Sequence, residues 1–293
     1  MFRRIKKKSV EELDPLVDSV LDPHTPPIAR VSPGATVEVE TWSALTKVTN
    51  PVTGPLEVEG AEIGDILVVE LLGIELPDRG TVAIIPGFGS LEGWLNLMKP
   101  RRKNCEIKEG IIHYKRDDGK SLELLADPFV GTIGVSPEIE AVSSLSPGRH
   151  GGNMDCPDIR PGNRLMLPVY RPGALLKLGD VHAAQGDGEV CGVAVEVNAL
   201  VTLRLDLIKD QSIGWPRIES PDEIMTVGSA RPLEDAARHA FREMVKWMVE
   251  DHGWTLDDAY MFLSVAAKAR IAQMVDPLYT VVAKLPKRYL EVN

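Results

Sequence analysis

The chain has 293 residues, with 33 Lys and Arg against 43 Asp and Glu, for a formal net charge of −10. That excess of acid, with aromatics at 5%, argues against nucleic acid or an anionic membrane surface as the main partner, and 44% hydrophobic residues exclude intrinsic disorder and suffice for a sizeable core. Cys105, Cys156 and Cys191 are odd in number and form no CxxC pair, which speaks against a disulfide framework or a structural zinc knuckle.

The first residues, Met1-Phe2-Arg3-Arg4-Ile5-Lys6-Lys7-Lys8, carry the charge of a signal-peptide start. They lead into Ser9, Glu11, Glu12 and Asp14 rather than an apolar stretch, so they read as a solvated end. No run approaches the ~20 apolar residues of a membrane span, and the expectation is a cytoplasmic protein with no membrane partner. Five Pro-Gly dipeptides, at 33–34, 86–87, 147–148, 161–162 and 172–173, mark tight turns, because Pro presets the first central φ of a type II turn and Gly supplies the positive φ at the second. Between them, residues 37–40 alternate Val and Glu as a half-buried strand does, and 65–72 form a continuous apolar run suited to a strand covered on both faces. Residues 81–85, 111–114, 122–125 and 165–169 add short strands. The longest candidate, 190–207, puts Val193, Val195 and Val197 on one face with Glu196 and Asn198 on the other.

After Trp215-Pro216 the pattern changes. Residues 222–227 predict one more strand. Pro232, followed by Glu234 and Asp235, then opens a helix in which Ala237, Phe241, Met244, Val245 and Met248 recur at helical spacing up to Gly253. Thr255-Leu256-Asp257-Asp258 resembles a capping box and predicts a second helix to about residue 273; a closing strand at 279–283 precedes Pro286. The expected fold is mainly β, a sandwich- or barrel-like arrangement of short strands with a C-terminal helix pair (α+β). Residues 1–210 form a β-rich lobe and 211–293 an α+β portion packed on it, or the two make a single domain.

Residue types suited to catalysis concentrate between 148 and 198. In Gly148-Arg149-His150-Gly151-Gly152-Asn153-Met154-Asp155, paired glycines let the backbone approach a ligand and aim N–H groups at an anion, while Asn153 and Asp155 face the same way in an extended segment. In Gly179-Asp180-Val181-His182-Ala183-Ala184-Gln185-Gly186-Asp187-Gly188-Glu189, alternation pairs Asp180 with His182 and Asp187 with Glu189. One imidazole with several carboxylates can hold a divalent ion: the mixed set suits zinc, manganese or iron, and an oxygen-rich subset calcium or magnesium. Asp187-Gly188 alone is ordinary hairpin-turn chemistry, but a turn requires none of His182, Gln185 and Glu189. Glu196, an acid on an otherwise apolar strand, must either face water or meet a partner, for which a metal or His182 is the candidate. His24, in a proline-rich loop, reads by itself as surface; His113, His239 and His252 read as structural, and Cys156 as a small packed residue.

The 150–155 segment, Gly173-Ala174-Leu175-Leu176 and the 179–189 segment together resemble the acetamidase/formamidase family. Gly131-Thr132-Ile133-Gly134, Gln273-Met274-Val275-Asp276, Lys284-Leu285-Pro286, His24 and the Glu40-Thr41 pair add support, so the resemblance spans roughly residues 20–290. It implies a β-rich homo-oligomer, a dimer or larger, that uses a divalent metal to hydrolyse a short aliphatic amide of the formamide or acetamide type. Two departures bear on the substrate pocket: Thr25-Pro26 follow His24 where many members carry an aromatic, and Ser43 stands where an Asp often follows the Glu-Thr pair. Placed on these residues, the implied chemistry has zinc, or alternatively calcium or manganese, held by His182, Asp155 and His24, with Glu196 as a further ligand. N–H groups near Gly151 and Gly152 meet the oxyanion, Glu189 or Asp187 accepts the proton, and Asn153 and Gln185 orient the amide. The rival readings are a metal-dependent hydrolase of another small C–N or ester substrate, and a non-catalytic β module that binds metal or a small molecule.

Overall fold

A computed structural model describes residues 3–96 and 99–290. Two open sheets and a helical layer stack on one another. The first sheet runs Arg3–Ile5, Thr36–Thr41, Ala199–Ile208, Ile66–Glu75, Arg164–Pro168, Arg217–Glu219, Glu223–Ala230, Tyr279–Pro286 and Lys268–Gln273. It therefore crosses residue 210, with strands from either side of that point in one hydrogen-bonded array. The second sheet centres on Leu176–His182, which pairs along one edge with Phe129–Gly134. Its other edge is divided between Val52–Val58 and Glu196–Val197. Beyond Glu196–Val197 the sheet continues through Arg79–Ile84, Arg101–Lys108, Ile111–Lys115 and Ser121–Leu125.

Side-chain alternation explains the layering. In Ile66–Glu75, Leu67, Val69 and Leu71 join Leu56, Ile133, Leu176, Leu178 and Val181 in the core between the sheets. Ile66 and Val68 face the opposite way, against Met166, Ile224, Met244, Trp247 and Leu263 under the helices. The unbroken apolar run thus reflects burial on both faces. Thr36–Thr41 shows the contrasting pattern, burying Val37, Val39 and Thr41 while Glu38 and Glu40 stay half-buried.

Three α-helices are present among the described residues: a single turn, α1 (Pro15–Asp18), then α2 (Leu233–His252) and α3 (Leu256–Ala266). Glu234 and Asp235 occupy the first turn of α2, and Gly253, at φ 69°, ends it by donating its N–H to the Met248 carbonyl. The Thr255 hydroxyl caps α3 by accepting from the Asp258 N–H at 3.2 Å. Among the described residues no helix is long and apolar enough to cross a membrane.

Four expectations are corrected. The second helix stops at Ala266, not near 273: Ala267 is extended, and Lys268–Gln273 becomes an edge strand whose pairing with Tyr279–Pro286 outweighs its helical composition. The strand expected over 190–207 begins only at Glu196–Val197 and resumes at Ala199–Ile208, since Gly192, at φ 79°, turns the chain first. The basic start is not a loose end, because Arg3–Ile5 pairs parallel with Thr36–Thr41 and buries Ile5; Met1 and Phe2 lie outside the described residues. Four of the five Pro-Gly glycines have positive φ, but Gly148 does not and instead exchanges backbone hydrogen bonds with Gly151.

Candidate active site

Strand Leu176–His182 is buried along its whole length, and Asp180, at φ 53°, meets His182 at its end. Its register sets His182 opposite Glu196 on one neighbour and Phe129 on the other. Nε2 of His182 consequently lies 3.1 Å from Asp180 Oδ1 and 3.3 Å from Glu196 Oε1. The Phe129 ring meets the imidazole edge-on at 5.0 Å. On the other side of the ring, Nδ1 is 2.8 Å from Gln185 Oε1. The Gln185 amide nitrogen donates to the carbonyls of Asp155 and Ala272 at 2.9 and 3.0 Å.

Asp155, Glu189 and Asp276 complete the cluster. Asp155 follows strand Gly151–Asn153 with a φ of 42°. A Cβ on Gly131 would lie 2.5 Å from Asp155 Oδ1 and 3.0 Å from Asp180 Oδ2, so the bare backbone at 131 makes room for both carboxylates. Asn153 links the acids: its Nδ2 donates to Asp155 Oδ2 at 2.9 Å and to Asp276 Oδ2 at 2.8 Å. Its Oδ1 accepts from Asn50 Nδ2 at 3.1 Å and from the Thr132 hydroxyl.

Five carboxylates around one imidazole, all removed from water, cannot all be ionised without added positive charge. Protons supply part of it. Burial pushes Asp155 up to about 6, helped by the charge of Asp180. Burial, with Asp155 beside each, also holds Glu189 and Asp276 well above the usual carboxylate range. Glu196 is raised likewise by burial and by Asp180, against the pull of His182. Burial opposes the charged forms of His182 and Asp180 too, yet the charges of Glu196 and then Asp180 raise the imidazole well above its ordinary value, and the imidazole in turn lowers Asp180. Asp155 Oδ1 and Glu196 Oε2 nevertheless have no hydrogen-bond partner. Asp155, Asp180 and His182, and likewise His182, Glu189 and Glu196, offer donor atoms that lie within 4.8 Å of one another. A mixed imidazole–carboxylate set with unpartnered oxygens fits a divalent cation.

His182, Asp155, Glu189, Glu196, Asn153 and Gln185 thus meet, as their types suggest, but other residues named from the sequence do not join them. His24 is exposed, its backbone N–H donates to Asp22 Oδ1 at 2.8 Å, and it belongs to neither group of donors around His182. Asp187 is 59% exposed and pairs with Arg270 Nε at 2.9 Å, because a tight turn, closed by Glu189 N–H on the Gly186 carbonyl at 3.1 Å, breaks the alternation expected between 187 and 189. Gly151 is no oxyanion donor: its N–H goes to the Gly148 carbonyl at 3.1 Å. Gly152 instead permits close packing, since a Cβ there would strike the Ser146 carbonyl. Asn153 and Gln185 have both amide hydrogens engaged by the protein, leaving none to orient a substrate. Cys156 is buried and its thiol pKa is pushed up, as suits a packed residue rather than a nucleophile. Sequence reasoning assigns no role to Asp276, Thr132 or Asn50, although Asp276 and Thr132 lie inside segments that carry the family resemblance.

Comparison with known proteins follows the same segments. The family model for the acetamidase/formamidase family matches residues 130–291, more than half of the chain. A formamidase of Methylophilus methylotrophus is 27% identical over 269 residues, covering 68% of this chain and 66% of its own length. The chain therefore spans just under two thirds of that relative. The crystal structure of an acetamidase from Yersinia enterocolitica is 37% identical with a TM-score of 0.91, the match covering 100% of this chain and 94% of that one. An acetamidase from Bacillus halodurans gives 34% identity and a TM-score of 0.89, with 98% of each chain covered.

Proposed function

Because the chain belongs to the acetamidase/formamidase family, we propose that it hydrolyses the C–N bond of a short aliphatic amide, of the formamide or acetamide type, to a carboxylate and ammonia. The buried carboxylate cluster around His182 Nε2, with two oxygens lacking partners, carries this reading. A divalent ion, zinc first and calcium or manganese as alternatives, would be held by His182 Nε2, Asp155 and Asp180, with Glu196 beside them. Bound there, such an ion supplies Lewis acidity toward the amide carbonyl and acidifies water.

The remaining chemistry belongs to the chain's own side chains. Glu189, at 7% exposed, is the least buried of the six members of the cluster. It is the carboxylate assigned to take a proton from water and deliver it to the leaving nitrogen. Asn153 keeps Asp155 and Asp276 in place through its two N–H bonds. The names of the relatives support a short acyl group. A homo-oligomer is part of the proposal, supported by α3, which leaves Leu256, Tyr260, Met261 and Val265 between 61 and 83% exposed.

The test is ammonia release from formamide, acetamide and longer amides by protein of defined metal content, with and without chelator. Release that depends on metal and falls with acyl length is expected. Stoichiometrically metallated protein that releases ammonia from no amide overturns the proposal.

A further inference from the structure

We propose that Gln185 is the positioning residue of this site: it holds the His182 ring so that Nδ1 keeps its hydrogen and Nε2 alone is presented to the carboxylates. An amide nitrogen has two hydrogens to donate, and an amide oxygen can only accept. The Gln185 nitrogen faces two carbonyl oxygens, those of Asp155 and Ala272, at 2.9 and 3.0 Å. Neither carbonyl can donate, so the flipped amide would set oxygen against oxygen twice. The orientation is therefore fixed, and the atom 2.8 Å from His182 Nδ1 is the acceptor Oε1. An acceptor at that distance requires hydrogen on Nδ1 whether the ring is neutral or charged.

One side chain thus joins three segments: the end of strand Leu176–His182, the turn carrying Asp155, and strand Lys268–Gln273. It sits three residues after His182 in the same loop, so ring and tether arrive together. The outer nitrogen of a ligand histidine is commonly held in this manner, and removing the holder costs about 10- to 100-fold in metal affinity. The metal part of this inference rests on the proposed function; the ring-orientation part does not.

The experiment uses the full chain labelled with 15N-histidine and stripped of metal. In the wild type, His182 Nδ1 should show a bound, slowly exchanging proton, and Gln185→Met should lose it or broaden it by exchange. An unprotonated Nδ1 in the wild type, or a signal unchanged by the substitution, overturns the proposal. Zinc titration against a competing chelator follows, below the unfolding midpoint of each protein. Gln185→Met should bind about 10- to 100-fold more weakly, and binding within about twofold of the wild type overturns the role. A wild type that takes up no zinc, calcium or manganese overturns the metal reading instead, and the nitrogen spectrum then decides the positioning role by itself.

Discussion

His150 provides a sharp test of the electrostatics around the Gly148–Gly152 turn. Its ring is buried, Nε2 has no hydrogen-bond partner, and burial lowers its pKa from 6.5 to about 4. Above pH 6.5 the imidazole is neutral in folded and unfolded chains alike. As the pH falls below 6.5 the unfolded chain takes up a proton, while the folded chain does not until the pH nears 4. Stability is therefore fully present above 6.5, declines through that window and levels off below it. At about 1.4 kcal/mol per pH unit, the gap amounts to ~3 kcal/mol. His150→Gln keeps a polar side chain but cannot titrate. Urea unfolding of both proteins across the window isolates the effect, because the carboxylates titrate in each and cancel in the difference. The wild type should lose ~3 kcal/mol relative to the variant between the upper and lower ends. A difference that stays constant with pH refutes the assignment of a neutral, desolvated ring.

Glu189→Gln should lower amide turnover by about 10²- to 10⁴-fold, whereas Asp187→Asn, altering an exposed partner of Arg270, should leave it within about twofold; the reverse order in an ammonia-release assay would exchange their roles. Gly131→Ala places a methyl 2.5 Å from Asp155 Oδ1 and should cost ~1–3 kcal/mol in denaturant unfolding together with metal content; wild-type values in both measurements refute the packing argument. Asp22→Asn leaves the Lys177 ammonium buried without the carboxylate now 3.0 Å away, and the expected loss of ~3–5 kcal/mol is read from the unfolding midpoint; a loss below ~1 kcal/mol would show that the Val17 and Val20 carbonyls suffice.

What the sequence made legible was periodic or local. The apolar run at 65–72 and the spacing in α2 reflect burial that each element experiences along its length. Asp180 and His182 could be paired because they lie within one strand. The same two-residue rule fails for Asp187 and Glu189, where a turn hydrogen bond intervenes that periodicity does not encode. The segment Lys268–Gln273 was illegible for another reason: its composition favours helix, and only the long-range partner Tyr279–Pro286 makes it a strand. Asp276 enters the cluster through that same hairpin, so no local signal could have placed it beside Asn153. Asn50 arrives from still farther away, 103 residues before Asn153.

Two costs fall on the same residues. Asp155, Asp180 and Glu189 lie at φ values of 42, 53 and 44°, where a residue with a Cβ is strained, and the same three crowd their carboxylates together out of water. Each such backbone position costs on the order of 1–3 kcal/mol and persists only where its surroundings over-determine it. A cation relieves the repulsion between carboxylates but does nothing for the backbone strain. The scaffold must therefore hold these φ values whether or not a cation is bound. At Asp155 and Glu189 the hydrogen bonds that do so are the Asp155 N–H on the Gly131 carbonyl at 3.2 Å, the Glu189 N–H on the Gly186 carbonyl at 3.1 Å, and the Gln185 amide on the Asp155 carbonyl at 2.9 Å. None of them involves a carboxylate oxygen. The oxygens are left free for charge compensation because the backbone beneath them is fixed by other atoms, a division that favours a preformed binding site over one assembled by its cation.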